Sequence, residues 1–345
     1  MDNKITKSRL GNFLSYEWIL IAIVVAVAIF VWEFAYTVGA VRLTTGQQYK
    51  FYFDEKISTT GANKLYNLIL QEDVLSYDVL SFESENLTSD YNVLSVRLSV
   101  QEGDIIITDT IKPKEEDKDQ SIRAKTIIDN SYGSSYTKLL NEAKTYLRDN
   151  FLSDAKKTSD ENANLDLATD YVNLDEAKIA QHFRTRMKKD NRFRKETQIL
   201  NGIELEKGRI ENLCRQVKDF EKLLSFKDSN PELFFRYTKY QQSYDLSEED
   251  DVKYKNNYQI LLDSEKNAGR ENDVYGLNVG ALKDSNPESG EAKVNPSEYF
   301  KLTGESTADN VVILVFDFCK HQYDLHYETI SVINAVVKSC SDILD

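Results

Sequence analysis

Histidine, cysteine and proline are scarce in this chain, with three, three and four copies in 345 residues, and the scarcity removes whole classes of chemistry. His182, His321 and His326 include no His-x-x-x-His pair, and Cys214, Cys319 and Cys340 fit no metal-ligand spacing and no disulfide framework. At most one disulfide is available, Cys319 with Cys340; the alternative is three buried thiols. No Gly-rich phosphate loop and no Gly-x-Ser-x-Gly elbow occurs, and no carboxylate pair is marked out by its surroundings as a glycosidase pair. Neither an enzyme nor a cofactor or metal is expected. Positive charge is short too: 43 Lys and Arg against 57 Asp and Glu leave −14, which argues against nonspecific nucleic-acid binding, since that rests on neutralising phosphates. Both tryptophans, Trp18 and Trp32, lie near the N-terminus, so a sugar bound farther on would have to stack on Tyr or Phe.

What is present begins with an apolar run. Trp18 to Val41 is 24 residues with one charge, Glu33. As a helix it would reach about 36 Å, enough for a hydrocarbon core of about 30 Å. Tyr16 and Trp18 at one end and Trp32, Phe34 and Tyr36 at the other are aromatic residues of the kind that settle at membrane interfaces. The expectation is a single transmembrane anchor, 16–41, behind a cytoplasmic tail, 1–15. A signal peptide cleaved after Ala40 is the alternative, since Val38-Gly39-Ala40 ends in a small residue. Lys4, Lys7 and Arg9 lie on one side and Arg42, Lys50 and Lys56 on the other, so the positive-inside count is nearly tied. A large body following a first apolar segment favours the N-terminus inside and the body extracytoplasmic.

The next sixty residues alternate strand and helix. Tyr49, Phe51 and Phe53 alternate with Lys50 and Tyr52 in a strand ending at Asp54; Ala62 to Leu70 carries Leu65, Leu68 and Ile69 on one helical face. Tyr77 to Phe82 reads as a second strand, and Gly103-Asp104 turns into a β-branched strand, Ile105 to Asp109. Between them Leu94, Val96, Leu98 and Val100 alternate with Ser95, Arg97 and Ser99, which by period alone is a strand paired with Ile105 to Thr108.

That order of elements, with the segment Leu94 to Asp109 (LSVRLSVQEGDIIITD) and a fainter echo at Asp273 to Gly280 (DVYGLNVG), resembles the bacterial extracellular solute-binding proteins that serve ABC importers. The resemblance covers about the first third of the chain. It implies a helix at Tyr91 to Gln101 in place of the strand, a periplasmic-binding-protein-like α/β body, importer subunits as partners and a small solute such as a sugar as ligand. The lipid-attachment cysteine usual near the N-terminus of that family is missing, and a transmembrane anchor would stand in its place.

Ser134 to Ser153 reads as an amphipathic helix. Asp160, Asn162, Asn164 and Asp166 imitate calcium-loop spacing, but Leu165 and Tyr171 stand where the turn glycine and bidentate glutamate belong, so a polar linker is expected. From Asp175 to Phe226 the pattern is helical, with Ile203, Ile210, Val217 and Leu224 recurring every seven residues and Ile199, Leu213 and Phe220 interleaved, either packed on the body or pairing with a second copy. Arg184 to Lys195 holds seven basic residues and one acid, suited to polyanions or lipid headgroups unless neighbouring acids balance it. Tyr254 to Asp263 and Val274 to Val279 look extended, Asn295-Pro296 starts a helix through Leu302, Val311 to Phe318 is a buried strand and His326 to Ile343 a closing helix.

The fold class expected is α/β: an N-terminal transmembrane helix, an α/β lobe over 42–155, a helical arm or insertion over 156–230, and an α/β remainder over 231–345 completing the body. Ligands of open α/β sheets sit beyond the carboxyl ends of strands. There Asp54, Asp109, Tyr275 and Asn278 would form a ligand site, the carboxylates and amide binding hydroxyls or amines and the tyrosine stacking. The plainer reading is that the two aspartates cap the turns that follow them. On this view the protein is a membrane-anchored solute-binding-like protein or, alternatively, a non-catalytic interaction or scaffold domain without a ligand cleft.

Overall fold

The computed structural model describes Gly11, Ile19 and residues 21–33, 47–71, 74–87, 92–100, 102–112, 122–152, 174–241, 251–283, 293–317 and 327–345. Two units emerge from its contacts, 1–43 and 44–345. In the first, residues 21–33 are helical, and Val24, Val27, Phe30, Val31 and Trp32 are all more than half exposed. No helix among the described residues is long and apolar enough to cross a membrane. The rest of the expected anchor, 16–18, 20 and 34–41, lies outside the described residues.

The second unit is built on one mixed sheet of seven strands: β1 (Gln48–Asp54), β2 (Ser81–Leu87), β3 (Ile105–Asp109), β4 (Gly133–Ser134), β5 (Phe234–Tyr237), β6 (Asp273–Asn278) and β7 (Val311–Phe316). The order is β2-β1-β3-β7-β6-β5, with β4 beside β7. β1 is parallel to β2 and β3, while β7 is antiparallel to β3, β4 and β6. β6 therefore runs with β1, β2 and β3, and the carboxyl ends of those four strands share one edge.

Helices cover both faces: α1 (Ala62–Ile69), α2 (Asn92–Val100), α3 (Arg123–Asp129), α4 (Tyr136–Phe151), α5 (Glu176–Arg186), α6 (Glu196–Ser225), α7 (Asp251–Asn267) and α8 (Glu328–Cys340). On one face Tyr49, Phe51, Phe53, Ile105, Ile107 and Ile313 meet α1, α4, α6 and α8. On the other Tyr52, Ile106, Val312 and Leu314 meet Leu94 of α2 and Ala124, Ile127 and Ile128 of α3. This two-sided burial explains why β7 and most of β3 read as continuous apolar runs, whereas the edge strand β2 is Ser-Phe-Glu-Ser-Glu-Asn-Leu. Local chemistry sets the helix starts: Ser135 Oγ accepts from Lys138 N at the head of α4, and Asp175 Oδ1 from Ala177 N and Lys178 N at the head of α5.

Of the two readings of the helical stretch within 156–230, the structure packs it on the body: Ile210, Leu213, Val217, Phe220 and Leu224 of α6 are buried in the central core, each contributing on the order of 2 kcal/mol. Gly202, one of two glycines that weaken this helix by propensity, is required by packing: a Cβ there would fall 2.2 Å from the Phe183 ring and 2.8 Å from Phe193. Tyr77 to Leu80 is not strand, and β2 starts at Ser81, because Tyr77 and Asp78 turn away to bind Glu206 and Arg186. Tyr254 to Asp263 is not extended but lies within α7, where Tyr258, Leu262 and Glu265 form a half-buried stripe at helical spacing. Only a 3-10 turn, Pro296–Glu298, follows Asn295. Of the two readings of 94–100, the structure has the helix. The calcium-like stretch 160–171, His321, His326 and Cys319, and with Cys319 the candidate disulfide, lie outside the described residues; Cys214 and Cys340 are buried free thiols.

Candidate functional site at the carboxyl edge of the sheet

The chain passes from β1 to β2 on one side and from β2 across to β3 on the other, so the carboxyl ends of β1 and β3 flank the point where strand order switches. Asp54 and Asp109 stand there, both fully buried. Phe53 pairs with Ile107, which sets Asp54 beside Thr108, and Thr108 Oγ1 donates to Asp54 Oδ2 at 2.7 Å. Arg123, the first residue of α3, reaches over both carboxylates. Its Nε donates to Asp54 Oδ2 at 2.8 Å, its Nη2 pairs with Asp54 Oδ1, its Nη1 donates to Glu55 Oε1 at 2.7 Å, and its Nε lies 4.0 Å from Asp109 Oδ2. Asp109 Oδ1 accepts from Ile111 N at 2.9 Å, the turn-capping role open to any aspartate at a strand end. Its Oδ2 is buried without a hydrogen bond, 3.8 Å from Lys56 Nζ. Burial pushes the Asp109 carboxyl above its ordinary range, opposed by the Ile111 amide and by Lys56.

The other two candidates do not converge on this pair. Asn278 sits on the same edge, but Thr108 pairs with Val312 and Val312 with Asn278, which sets it two strands away, about 10 Å. Its Nδ2 donates to Glu232 O at 2.9 Å. Tyr275 is the residue skipped where the β5 register shifts, Phe235 opposing Gly276 and Arg236 opposing Val274. It is buried in the second-face core, about 10 Å back along the strand from Asn278. The sequence reading missed Arg123, Lys56 and Thr108, and an arginine some seventy residues from Asp54 carries no local pattern to announce it.

A second polar cluster lies under the helical layer. Glu206 of α6 is fully buried and accepts from Tyr77 OH at 2.9 Å, Arg186 Nη2 at 2.7 Å, and Arg209 Nε and Nη2 at 3.0 Å each; His182 Nδ1 is 3.4 Å away. Arg186 also donates to Asp78 at 2.7 Å, and Arg192 pairs with Asp78 and Asp190. Burial alone would raise the Glu206 carboxyl, but Arg209, His182 and Arg186 outweigh it and hold the group well below the ordinary range. Glu328, 3.8 Å from Arg209 Nη1, is pushed by burial up to about 7 in spite of that guanidinium. Perturbed, buried carboxylates of this kind mark functional sites or structural ion networks. Here Arg186, Arg192 and Arg209 each touch a carboxylate and Glu206 is fully buried, which favours the structural role.

A cleft of about 770 Å³ runs between α4, the turn at 268–272 and Tyr327. Lys138, Arg236 and Arg270 in its walls are bound to Asp317, Asp228 and Glu265, while Glu142 Oε2 is buried without a hydrogen bond. Among the described residues no group of His, Cys, Asp and Glu is placed to hold a metal ion. Comparison with family models, curated proteins and solved structures finds no match to this chain.

Proposed function

We propose that this protein is a single-pass membrane protein, anchored by residues 16–41 with 1–15 inside, whose extracytoplasmic body is a non-catalytic interaction domain. The observation that carries the reading is the open edge of the sheet. Among the described residues β2 pairs only with β1; Tyr66 of α1 packs on Phe82 and Arg97 of α2 binds Glu85, and beside these contacts both helical segments expose apolar side chains. Tyr66, Leu70 and Leu80 on one side are 39, 56 and 44% exposed, and Val96 and Val100 of α2 on the other are 59 and 50% exposed. An unpaired edge strand offers its backbone donors and acceptors to an extended segment of another protein, and apolar flanks supply the contact area. By contrast the switch point, where an open α/β sheet would take a solute, is filled by Arg123 and its ion pairs.

A solute-binding role beside an importer is the second reading, and the 770 Å³ cleft with the buried Glu142 oxygen favours it. A cationic or amine solute would suit that carboxylate better than a neutral sugar. One paired experiment separates the two. Photo-crosslinkers are placed at Leu70 and Val96 in intact cells, with the exposed polar Lys218 as control, and the purified chain is screened by thermal shift against sugars, peptides and amines. One adduct of the same mass from both apolar positions, absent from the control and lost with Leu80→Glu, fits the interaction domain. A solute that raises the melting temperature of the wild type but not of Glu142→Gln would move the protein into the solute-binding class.

A further inference from the structure

The basic segment Arg184 to Lys195 is split by the fold into two sets. Arg186 and Arg192 turn inward to Glu206, Asp78 and Asp190. Arg184, Lys188, Lys189, Arg194 and Lys195 remain exposed. Four of them, Arg184, Lys188, Lys189 and Arg194, line a cleft of about 620 Å³ between the end of α5 and the start of α6, with Phe193 and Ile199 as its apolar wall. Arg184 spends its charge on Glu196, at 2.9 Å, and Arg194 reaches Asn191, but Lys188 and Lys189 meet no carboxylate within salt-bridge distance among the described residues. Subtracting the +1 of residues 1–42 from the total of −14 leaves −15 on residues 43–345, so this is a cationic patch on an acidic body.

Its position gives the patch a meaning. Gln47, one residue before β1, donates from Nε2 to Asp190 Oδ2 at 3.3 Å, in the middle of the basic segment. The cleft therefore flanks the place where the chain enters the body. Only five residues, 42–46, lie between Val41 and Gln47, and the six steps fully extended span at most about 20 Å. We infer that the Arg184–Lys195 cleft is a membrane-facing site for the phosphates of anionic lipid headgroups, which docks the otherwise acidic body against the bilayer in one orientation. The inference rests on the anchor reading: with 16–41 in the bilayer, the tether keeps this cleft within reach of the headgroups, and an acidic body meets an anionic surface favourably only through such a patch.

The full chain in lipid discs tests it. Amide hydrogen exchange over 184–199 is compared in phosphatidylcholine discs and in mixed phosphatidylcholine–phosphatidylglycerol discs. Exchange there should slow severalfold in the anionic discs and not elsewhere in the body, and the difference should vanish at high salt, as exposed charges require. Each cation near an anionic surface is worth about fivefold in occupancy, so Lys188→Glu with Lys189→Glu should abolish most of the protection while leaving the melting temperature unchanged. Equal exchange in both disc types overturns the inference with the anchor intact. Protection by a soluble poly(glycerol phosphate) but not by phosphatidylglycerol would reassign the cleft to a soluble polyanion. A chain that never co-elutes with neutral discs fails the anchor reading itself, and the inference with it.

Discussion

Replacing Glu206 by Gln keeps the shape of the side chain and removes the one anion that Arg186 and Arg209 share. Arg186 keeps Asp78 at 2.7 Å, but Arg209 is left with the Tyr146 hydroxyl at 2.9 Å and with Glu328 at 3.8 Å, too long for a hydrogen bond. Arg209 is 6% exposed, so water cannot take over the role of the lost carboxylate. Breaking a buried pair by removing one partner costs about 3–5 kcal/mol, because the surviving charge stays desolvated. At a few degrees per kcal/mol in a body of this size, the melting temperature should fall by about 10 °C. Thermal unfolding of the full chain in detergent, followed by circular dichroism at neutral pH, is the assay. The double variant Glu206→Gln/Arg209→Met should recover part of the loss, since removing both partners leaves no stranded charge. A single variant melting within about 2 °C of wild type would refute the reasoning, because a loss under about 1 kcal/mol is what a solvated pair gives.

The pH dependence should run against the usual direction on the alkaline side. Asp104 and Glu328, both pushed by burial to about 7, keep protons in the folded body that the unfolded chain releases above its ordinary values of 3.8 and 4.5. Their stabilisation is fully present below those values and is lost as pH rises to about 7, whereas the depressed Glu206 loses its contribution as pH falls through its folded value, so the urea midpoint should peak near pH 5 and Glu328→Gln should flatten the fall above it. Arg123→Ala strands Asp54 and Asp109 together and should cost about 3–5 kcal/mol in urea unfolding, with Asp54→Asn recovering part of it. Gly103 holds φ +129° with its Cα against Tyr52 and Phe316, where a Cβ would fall 2.4 Å from the tyrosine ring, so Gly103→Ala should lower the melting temperature by several degrees while Gly208→Ala, facing open space, should raise it slightly.

Strong periodicity was legible in the sequence and long-range pairing was not. Residues 105–109 and 311–316 announce themselves because central strands buried on both faces are apolar nearly throughout, and 48–54 by the alternation of Tyr49, Phe51 and Phe53. Tyr254 to Asp263 misleads because Tyr258, Ile260 and Leu262 alternate over too few residues to separate period two from the helical spacing of Tyr258, Leu262 and Glu265. The second strand slipped by four residues because its true span is polar on both faces, as an edge strand can be. Glu206 was within reach: it stands at the one interleaved heptad position between Ile199 and Leu213 that is not apolar, and a charge in a buried seam implies a partner. Arg123 carried no such signal, since its importance comes from a strand end far away in sequence.

The sheet has a polarity that ties the basic cleft to the open edge. β1 enters just after Gln47, which donates to Asp190 within the basic segment, and the parallel strands carry Asp54, Asp109 and Asn278 to the opposite edge. If the cleft faces the bilayer, the Arg123 cluster points away from it and β2, which among the described residues pairs with β1 alone, stands upright along one side of the body, running from the membrane outward. An extended partner segment added to β2 would then also run across the gap between the bilayer and the outer edge of the body. That geometry makes orientation and partner binding one problem: releasing the body by Lys188→Glu with Lys189→Glu should weaken crosslinking from Val96 and Leu70 to a membrane-bound partner, although neither lysine touches β2. Undiminished crosslinking in that variant would mean that the edge is recognised by a body free to turn, and would separate the two surfaces.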